Sequence, residues 1–391
     1  MAAGAAGAAS AAAARRVTAV PGDGLSDRAL NRALLERQGL LARQPTTPLA
    51  MVEHLVGMQA QVPENPYVAL WSRLAAFAPE DLSAPIERRD AVRAQLMRST
   101  IHLVSARDCL AFHPITADVL AKVFRPPWLA GLRGADVGEV VSAGLALLAV
   151  EPRTRADLAA MLAPRWPDAD SLALAYAVTY NAPLVQVPPR GLWGATGQAR
   201  WAPAEAFLGA PVAAEPDVAG MVRRYLAAFG PATVADIRTW SGVTGLRAVV
   251  DRLRPGLRSF RDERGRELLD VEDGRLPDPE TPAPVRFLPE YDNVGLSHAD
   301  RARLFAGLGP GAPLPRGGRA IGTLLVDGFY RANWQITDDG DEATLTIDRF
   351  VPQAGDPPGS VEAIATEGEG LLAFLAPGTA ARAVRFVPAV T

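Results

Sequence analysis

One cysteine, one lysine and four histidines occur in 391 residues. The lone Cys109 excludes a disulfide framework within the chain and a cysteine-rich zinc site. His54, His102, His113 and His298 are scattered, no pair has metal-ligand spacing, and no metal is expected. No apolar run reaches the roughly 18 residues that a membrane span needs. Phosphate-binding loops, dinucleotide fingerprints, Ser-His-Asp orders and zinc motifs are all missing, so no cofactor is expected. No pair of acidic residues stands out as a general acid and base.

What remains is an ordinary globular composition, 49% hydrophobic and 21% charged, long enough for two to four domains. The net charge of −3 argues against indiscriminate binding to nucleic acid. Lys122 is the only lysine; the other 39 of the 40 basic residues are arginine. Arginine suits bidentate phosphate recognition. GC-rich codon usage explains the same abundance, together with that of Ala, Gly and Pro. Local charge is more telling. Between Ile86 and Arg107 lie Arg88, Arg89, Arg93, Arg98 and Arg107 against Glu87 and Asp90. Arg190 to Arg200 holds two arginines and no acid. Residues 1–20 begin with an almost pure Ala/Gly stretch without the apolar core of a signal peptide, which reads as a disordered tail. The bacterial cytoplasm is the expected compartment.

The patterning predicts an α+β chain in which three helices followed by a two-stranded hairpin recur three times. In the first unit, residues 21–135, helices are expected from Ser26 or Asp27 to Leu41, Thr47 or Pro48 to Gly57, Pro66 to Phe77 and Pro79 to Arg88. Ala91–Met97 and Thr100–Val104 read as paired strands with Arg98-Ser99 at the turn. The second unit, 136–215, has helices at 137–150, after Thr154 and at 168–180, then a strand at 184–187 and a Gly-rich wing bearing Trp193 and Trp201. The third, 216–276, has helices at 217–229, 233–240 and 244–253 and a hairpin turning at Asp262-Glu-Arg-Gly265. Beyond the Pro-rich linker 277–284, residues to 391 read as a β-rich module. Its strands are expected at 319–326, 330–336 and 343–347, with a helix at 360–375.

Leu55-Val-Gly-Met-Gln-Ala-Gln-Val-Pro-Glu-Asn-Pro-Tyr67 places Gln59 and Gln61 one residue apart after an apolar helix. On an extended backbone both side chains lie on one side. Each amide can orient water or polar edges without carrying charge. Downstream lies Arg98-Ser-Thr-Ile-His-Leu-Val104. The two runs together resemble the AlkZ-like (azinomycin-resistance) DNA glycosylases: Gln59-Ala60-Gln61 matches that family's Gln-aliphatic-Gln motif and Thr100-Ile101-His102 its Thr-aliphatic-His motif. Pro289-Glu-Tyr-Asp-Asn293 also recurs in the family and reads as structural. The resemblance extends from about Leu25 onward. It implies three tandem winged-helix units in a C-shaped arrangement around a concave basic channel, with a C-terminal β-rich module.

The resemblance further implies that Gln59 and Gln61 sit at the scissile nucleotide and position the catalytic water. Glutamine has no useful pKa and cannot be a true general base. Its carbonyl oxygen can still orient water and set negative dipole beside a developing cation. That help suffices when the leaving base is already cationic, as an N7- or N3-alkylated purine is. The expected activity is a DNA glycosylase without lyase activity, acting as a monomer on alkylated double-stranded DNA with no membrane partner. The alternative is a non-catalytic winged-helix DNA-binding protein or transcriptional regulator, and a third reading is a catalytically degenerate relative. Thr100, His102, Arg88, Arg89, Arg93 and Arg98 are candidate phosphate or loop contacts. Asp327-Gly-Phe-Tyr-Arg331 reads as an exposed turn whose Phe329, Tyr330 and Arg331 could probe the minor groove. Trp193 and Trp201 read either as stacking platforms or as core anchors.

Overall fold

The computed structural model describes residues 24–305, 322–348 and 355–387. The chain opens with α1 (Asp27–Arg37), α2 (Pro48–His54), β1 (Met58–Gln59), α3 (Asn65–Arg73), α4 (Glu80–Glu87), β2 (Ala91–Gln95) and β3 (Ile101–Ser105). Next come α5 (Ala106–Trp128), α6 (Val137–Val150), α7 (Arg155–Leu162), α8 (Ser171–Asn181), β4 (Leu184–Val187), β5 (Arg200–Pro203) and α9 (Ala204–Leu208). A third run holds α10 (Val218–Phe229), α11 (Val234–Ser241), α12 (Leu246–Leu253), β6 (Leu257–Arg261) and β7 (Glu267–Val271). The rest comprises β8 (Arg286–Leu288), α13 (Asn293–Leu296), α14 (Ala302–Phe305), β9 (Gly322–Val326), β10 (Phe329–Asp338), β11 (Glu342–Asp348), α15 (Ser360–Leu375) and β12 (Ala381–Val387).

Local chemistry starts these helices where the spacing predicts. Ser26 and Thr47 accept from the first-turn amides of α1 and α2, with Pro48 opening the latter. Thr154 and Thr233 form reciprocal capping boxes with Asp157 and Asp236. The expected tail and residues 319–321 of an expected strand lie outside the described residues.

The first two hairpins do not stand apart as separate wings. They join one five-stranded sheet, ordered β1-β3-β2-β4-β5, through the pairing of Arg93 with Gln186 and Ala94 with Val185. Alternation along its strands divides two cores. Val92, Ala94, Val104, Val185 and Ala202 enter one, shared with α10 and α11; Met58, Leu103, Leu184 and Trp201 enter the other, shared with α3 and α8. β6 and β7 form their own two-stranded ladder. The C-terminal sheet, ordered β12-β11-β10-β9-β8, covers a third core with α15. β12 runs parallel to β11 because α15 carries the chain back across.

Helix α1 binds the remote parts together through buried guanidinium groups. Arg37 makes a two-pronged pair with Asp270 of β7, both contacts at 2.7 Å. Arg32 and Arg28 both reach Asp327, in the turn between β9 and β10. This corrects the expectation of an exposed aromatic turn at 327–331. Phe329 is 6%, Tyr330 0% and Arg331 7% exposed, so none of the three is free to probe a groove. The turn is drawn inward because α1 supplies Arg28, Arg32 and the Asn31 amide, which donates to the Gly328 carbonyl at 2.7 Å. Arg331 is itself paired with Asp356 at 2.6 Å.

Removing one partner of a buried ion pair leaves the other charge uncompensated, at a cost of about 3–5 kcal/mol. Asp327→Ala should therefore lower the denaturant midpoint strongly, whereas Arg88→Ala, on an exposed pair with Asp90, should shift it by no more than about 0.5 kcal/mol equivalent. Equal midpoints for the two variants would show that the Asp327 turn does not anchor the module.

Candidate active site

Two left-handed residues, Val56 (φ 56°) and Gly57 (φ 90°), turn the chain from α2 into β1. A Cβ on Gly57 would lie 2.7 Å from the Val104 side chain, so glycine is needed for β1 to approach β3 this closely. β1 is only two residues long, with Met58 opposite Leu103 and Gln59 opposite His102. The next residue remains in step: the Ala60 amide donates to the Ile101 carbonyl at 2.7 Å. The Ala60 carbonyl accepts from Arg93 Nη2 at 2.7 Å. From behind, Asn293 Nδ2 donates to the Gly57 carbonyl at 2.8 Å, and its neighbour Asp292 grips Arg73 of α3 at 2.8 Å. The Pro289–Asn293 run thus holds the glutamine loop, in keeping with its structural reading.

Both glutamines address the end of the β2–β3 hairpin. Gln59 is 8% exposed, and its Oε1 accepts from Arg98 Nη2 at 2.7 Å. Gln61 is exposed, and its Oε1 accepts from the Ile101 amide at 3.2 Å. A carbonyl oxygen has two lone pairs, so each retains acceptor capacity. Neither glutamine is hydrogen-bonded to a carboxylate among the described residues.

The hairpin is closed by its own polar atoms. The Thr100 hydroxyl donates to the Met97 carbonyl at 3.2 Å, and His102 Nδ1 lies 3.0 Å from the Thr100 carbonyl. Gln95 Nε2 donates to the Ser99 hydroxyl at 3.0 Å. His102 is buried, and desolvation together with the nearby Arg98 charge drives its pKa down to about 3. It is neutral at ordinary pH, a loop-holding residue without a cationic grip on phosphate.

Arginine placement divides the candidates. Arg93 and Arg98 flank the glutamine loop, and desolvation lowers both to about 10, where they remain cationic at neutral pH. Neither has a carboxylate within ion-pair distance among the described residues. Two nitrogens of Arg93, Nε and Nη1, have no partner, and neither does Oε1 of the cross-strand Gln186. Arg88 and Arg89 lie at the opposite end of β2. Arg88 pairs with Asp90, and Arg89 stacks on Phe207, 4.5 Å from its ring centroid. Arg107 is exposed but paired with Glu53 and Asp108. Trp201 is a core residue at 1% exposure, and Trp193 packs on Tyr67 at 5.0 Å, so both act as anchors.

Sequence reasoning missed the contacts of Arg155. This side chain lies over Tyr176 and Trp201, with centroid distances of 4.6 and 4.9 Å, and its Nη2 is 3.5 Å from Gln95 Oε1. It also missed the contact of Arg98 with the Trp240 carbonyl at 2.6 Å. Neither carries a local sequence signal, since both partners are far along the chain. Among the described residues no group of three or more His, Cys, Asp or Glu is arranged to hold a metal ion.

The arrangement is two neutral amides at a sheet edge, framed by two cations that have no carboxylate within ion-pair distance among the described residues, Glu64 acting on Arg93 only from farther off. It can orient water and polar edges and can accept anions, but it offers no carboxylate acid–base pair. A family model described as DNA glycosylase AlkZ-like matches residues 52–374. The curated proteins include no match. Among solved structures, the chain is similar to the Streptomyces sahachiroi DNA glycosylase AlkZ. The TM-score is 0.75 at 21% identity, over 93% of this chain and 99% of that one. At that identity the likeness speaks for the fold, and the family match speaks for the kind of enzyme. The chain belongs to the AlkZ-like DNA glycosylase family.

Proposed function

We propose that this DNA glycosylase hydrolyses the N-glycosidic bond of bulky or crosslinked alkylated purines, N7-alkylguanine foremost and N3-alkyladenine as a second class. It would act in repair or in self-resistance to a genotoxic natural product. The observation that carries the reading is the pair Gln59 and Gln61, held at one hairpin end with no carboxylate partner among the described residues. Cleaving an ordinary base requires an acid to protonate the leaving group; a cationic alkylpurine departs without one. Glutamine dipoles then suffice to orient the attacking water and stabilise the oxocarbenium-like sugar. In this reading the three helix-and-hairpin runs are winged-helix units gripping duplex DNA, and the protein works as a monomer in the cytoplasm. Among the described residues no helix is long and apolar enough to cross a membrane.

A lyase step needs an amine to attack the sugar. The only lysine, Lys122, donates to the Thr244 hydroxyl at 3.2 Å, and neither residue belongs to the hairpin that holds the glutamines. Incubation with an N7-alkylguanine duplex should yield alkali-labile abasic sites and no strand breaks before alkali. Intact DNA at excess enzyme, for both small and bulky adducts, would refute the assignment and favour a purely DNA-binding role.

Gln59→Ala and Gln61→Ala should each slow single-turnover excision by about tenfold to a thousandfold, with little change in affinity for product DNA. Wild-type rates in both variants would reduce the loop to a structural element.

The rate should also be nearly independent of pH. His102, lowered to about 3, is neutral throughout the working range, and Arg98, at about 10, stays charged. No proton need be supplied to the leaving base. Single-turnover rates measured from pH about 5.5 to about 8.5 should therefore lie on a plateau. A titration limb near the ordinary histidine range would implicate a general acid or base that this account lacks.

A further inference from the structure

Arg98 and Ser99 are successive left-handed residues at φ 52° and 61°, which throws the Arg98 side chain out of the β2–β3 turn and across the site. Its guanidinium forks between two carbonyl oxygens. Nη2 donates to Gln59 Oε1 at 2.7 Å, and Nη1 donates to the backbone carbonyl of Trp240 at 2.6 Å, in the last turn of α11. α11 stops at Gly242, with φ 78°. A Cβ there would lie 2.9 Å from the Val119 side chain and 3.4 Å from Arg98 Cα, so the helix end and the turn meet only because this residue is glycine. Two of the five guanidinium N–H groups are therefore given to protein oxygens on different elements, which fixes the plane of the fork.

We infer that Arg98 is a positioning residue that fixes the amide orientation of Gln59 and ties it to the end of α11. The terminal torsion of a glutamine is broad and nearly two-fold, so an unheld amide presents its oxygen or its NH2 group in either sense. With Oε1 turned to Arg98, the NH2 group must face the other way, and one defined lone pair of Oε1 remains for water. Such preorganisation removes a reorganisation step from the reaction. This inference rests on the proposed role of Gln59 at the scissile nucleotide, and it replaces the expectation that Arg98 contacts phosphate.

The test is single-turnover excision of N7-methylguanine from a duplex by wild type, Arg98→Met, Arg98→Lys, Gln59→Ala and the Arg98→Met/Gln59→Ala double variant. Affinity for a tetrahydrofuran-containing duplex is measured alongside, across a salt series. Arg98→Met should slow excision by about ten- to a hundredfold without changing the salt slope. The double variant should be no slower than Gln59→Ala alone, because Arg98 acts through Gln59. Arg98→Lys should stay slow, since an ammonium keeps the charge but not the planar fork; it also carries the comparison if Arg98→Met does not fold. Losses that multiply in the double variant overturn the inference. So does a salt slope reduced by about one with the saturated rate retained, which marks a phosphate contact. Wild-type protein that excises nothing, or Gln59→Ala at the wild-type rate, would overturn the reading of Gln59 itself and this inference with it. Normal excision by both Arg98 variants overturns only this inference.

Discussion

The short pairing of β1 with β3 is the constraint on which the site depends. Two residues set its register, Gln59 opposite His102 and Met58 opposite Leu103. A slip of one residue would move Gln59 to the other face of the sheet and Met58 out of its core. The register is secured from several directions. Gly57 permits the close approach, Asn293 holds the Gly57 carbonyl, and Arg93 and Ile101 hold both backbone groups of Ala60. The glutamines are thus presented by a framework whose backbone groups at Gly57, Ala60 and Ile101 are all paired.

Electrostatics follows from how arginine is used. In a chain of net charge −3, arginine abundance suggests a basic binding surface. Among the described residues, seven arginines are instead buried. Arg32, Arg37 and Arg73 are buried against Asp327, Asp270 and Asp292, and Arg331 against Asp356. Planar forks satisfy two acceptors at once, which lets them cross between elements remote in sequence. Among the described residues Arg93 and Arg98, like Arg155 and Arg303, have no carboxylate within ion-pair distance, whereas the buried Arg32, Arg37, Arg73, Arg286 and Arg331 are paired. Arg93 and Arg98 lie on either side of the loop that bears Gln59 and Gln61.

Much of this was legible in the sequence. Helical spacing and capping residues placed α6, the start of α7, α10 and α15, and Asp-Gly turns placed the C-terminal hairpins. Strand β1 was not legible because two residues carry no period. Helix α5 was missed because Pro114 reads as a break and its N-terminal half is too mixed for a clear stripe. The merging of two hairpins into one sheet depends on edge pairing, which neither strand announces alone. At the site, the glutamine pair and the Thr100-Ile101-His102 strand were visible as motifs, whereas the fork of Arg98 was not. Its left-handed turn lacks the usual Gly or Asn, and its second partner is a backbone carbonyl 142 residues away. The 327–331 turn misled for the converse reason. An Asp-Gly pair beside aromatics looks exposed until α1, almost 300 residues earlier, supplies the arginines that bury it.

The central claim is that uncharged dipoles stabilise a cationic sugar. An enzyme that works this way binds the transition state better than the ground state. The direct measurement compares affinities for two duplexes, one carrying a cationic azasugar that mimics the oxocarbenium ion and one carrying the neutral tetrahydrofuran analogue. The account predicts that wild type prefers the azasugar by about tenfold or more, and that the preference collapses in Gln59→Ala and Gln61→Ala while tetrahydrofuran affinity is kept. Equal affinity of wild type for the two duplexes, or a preference that survives loss of both glutamines, would contradict it.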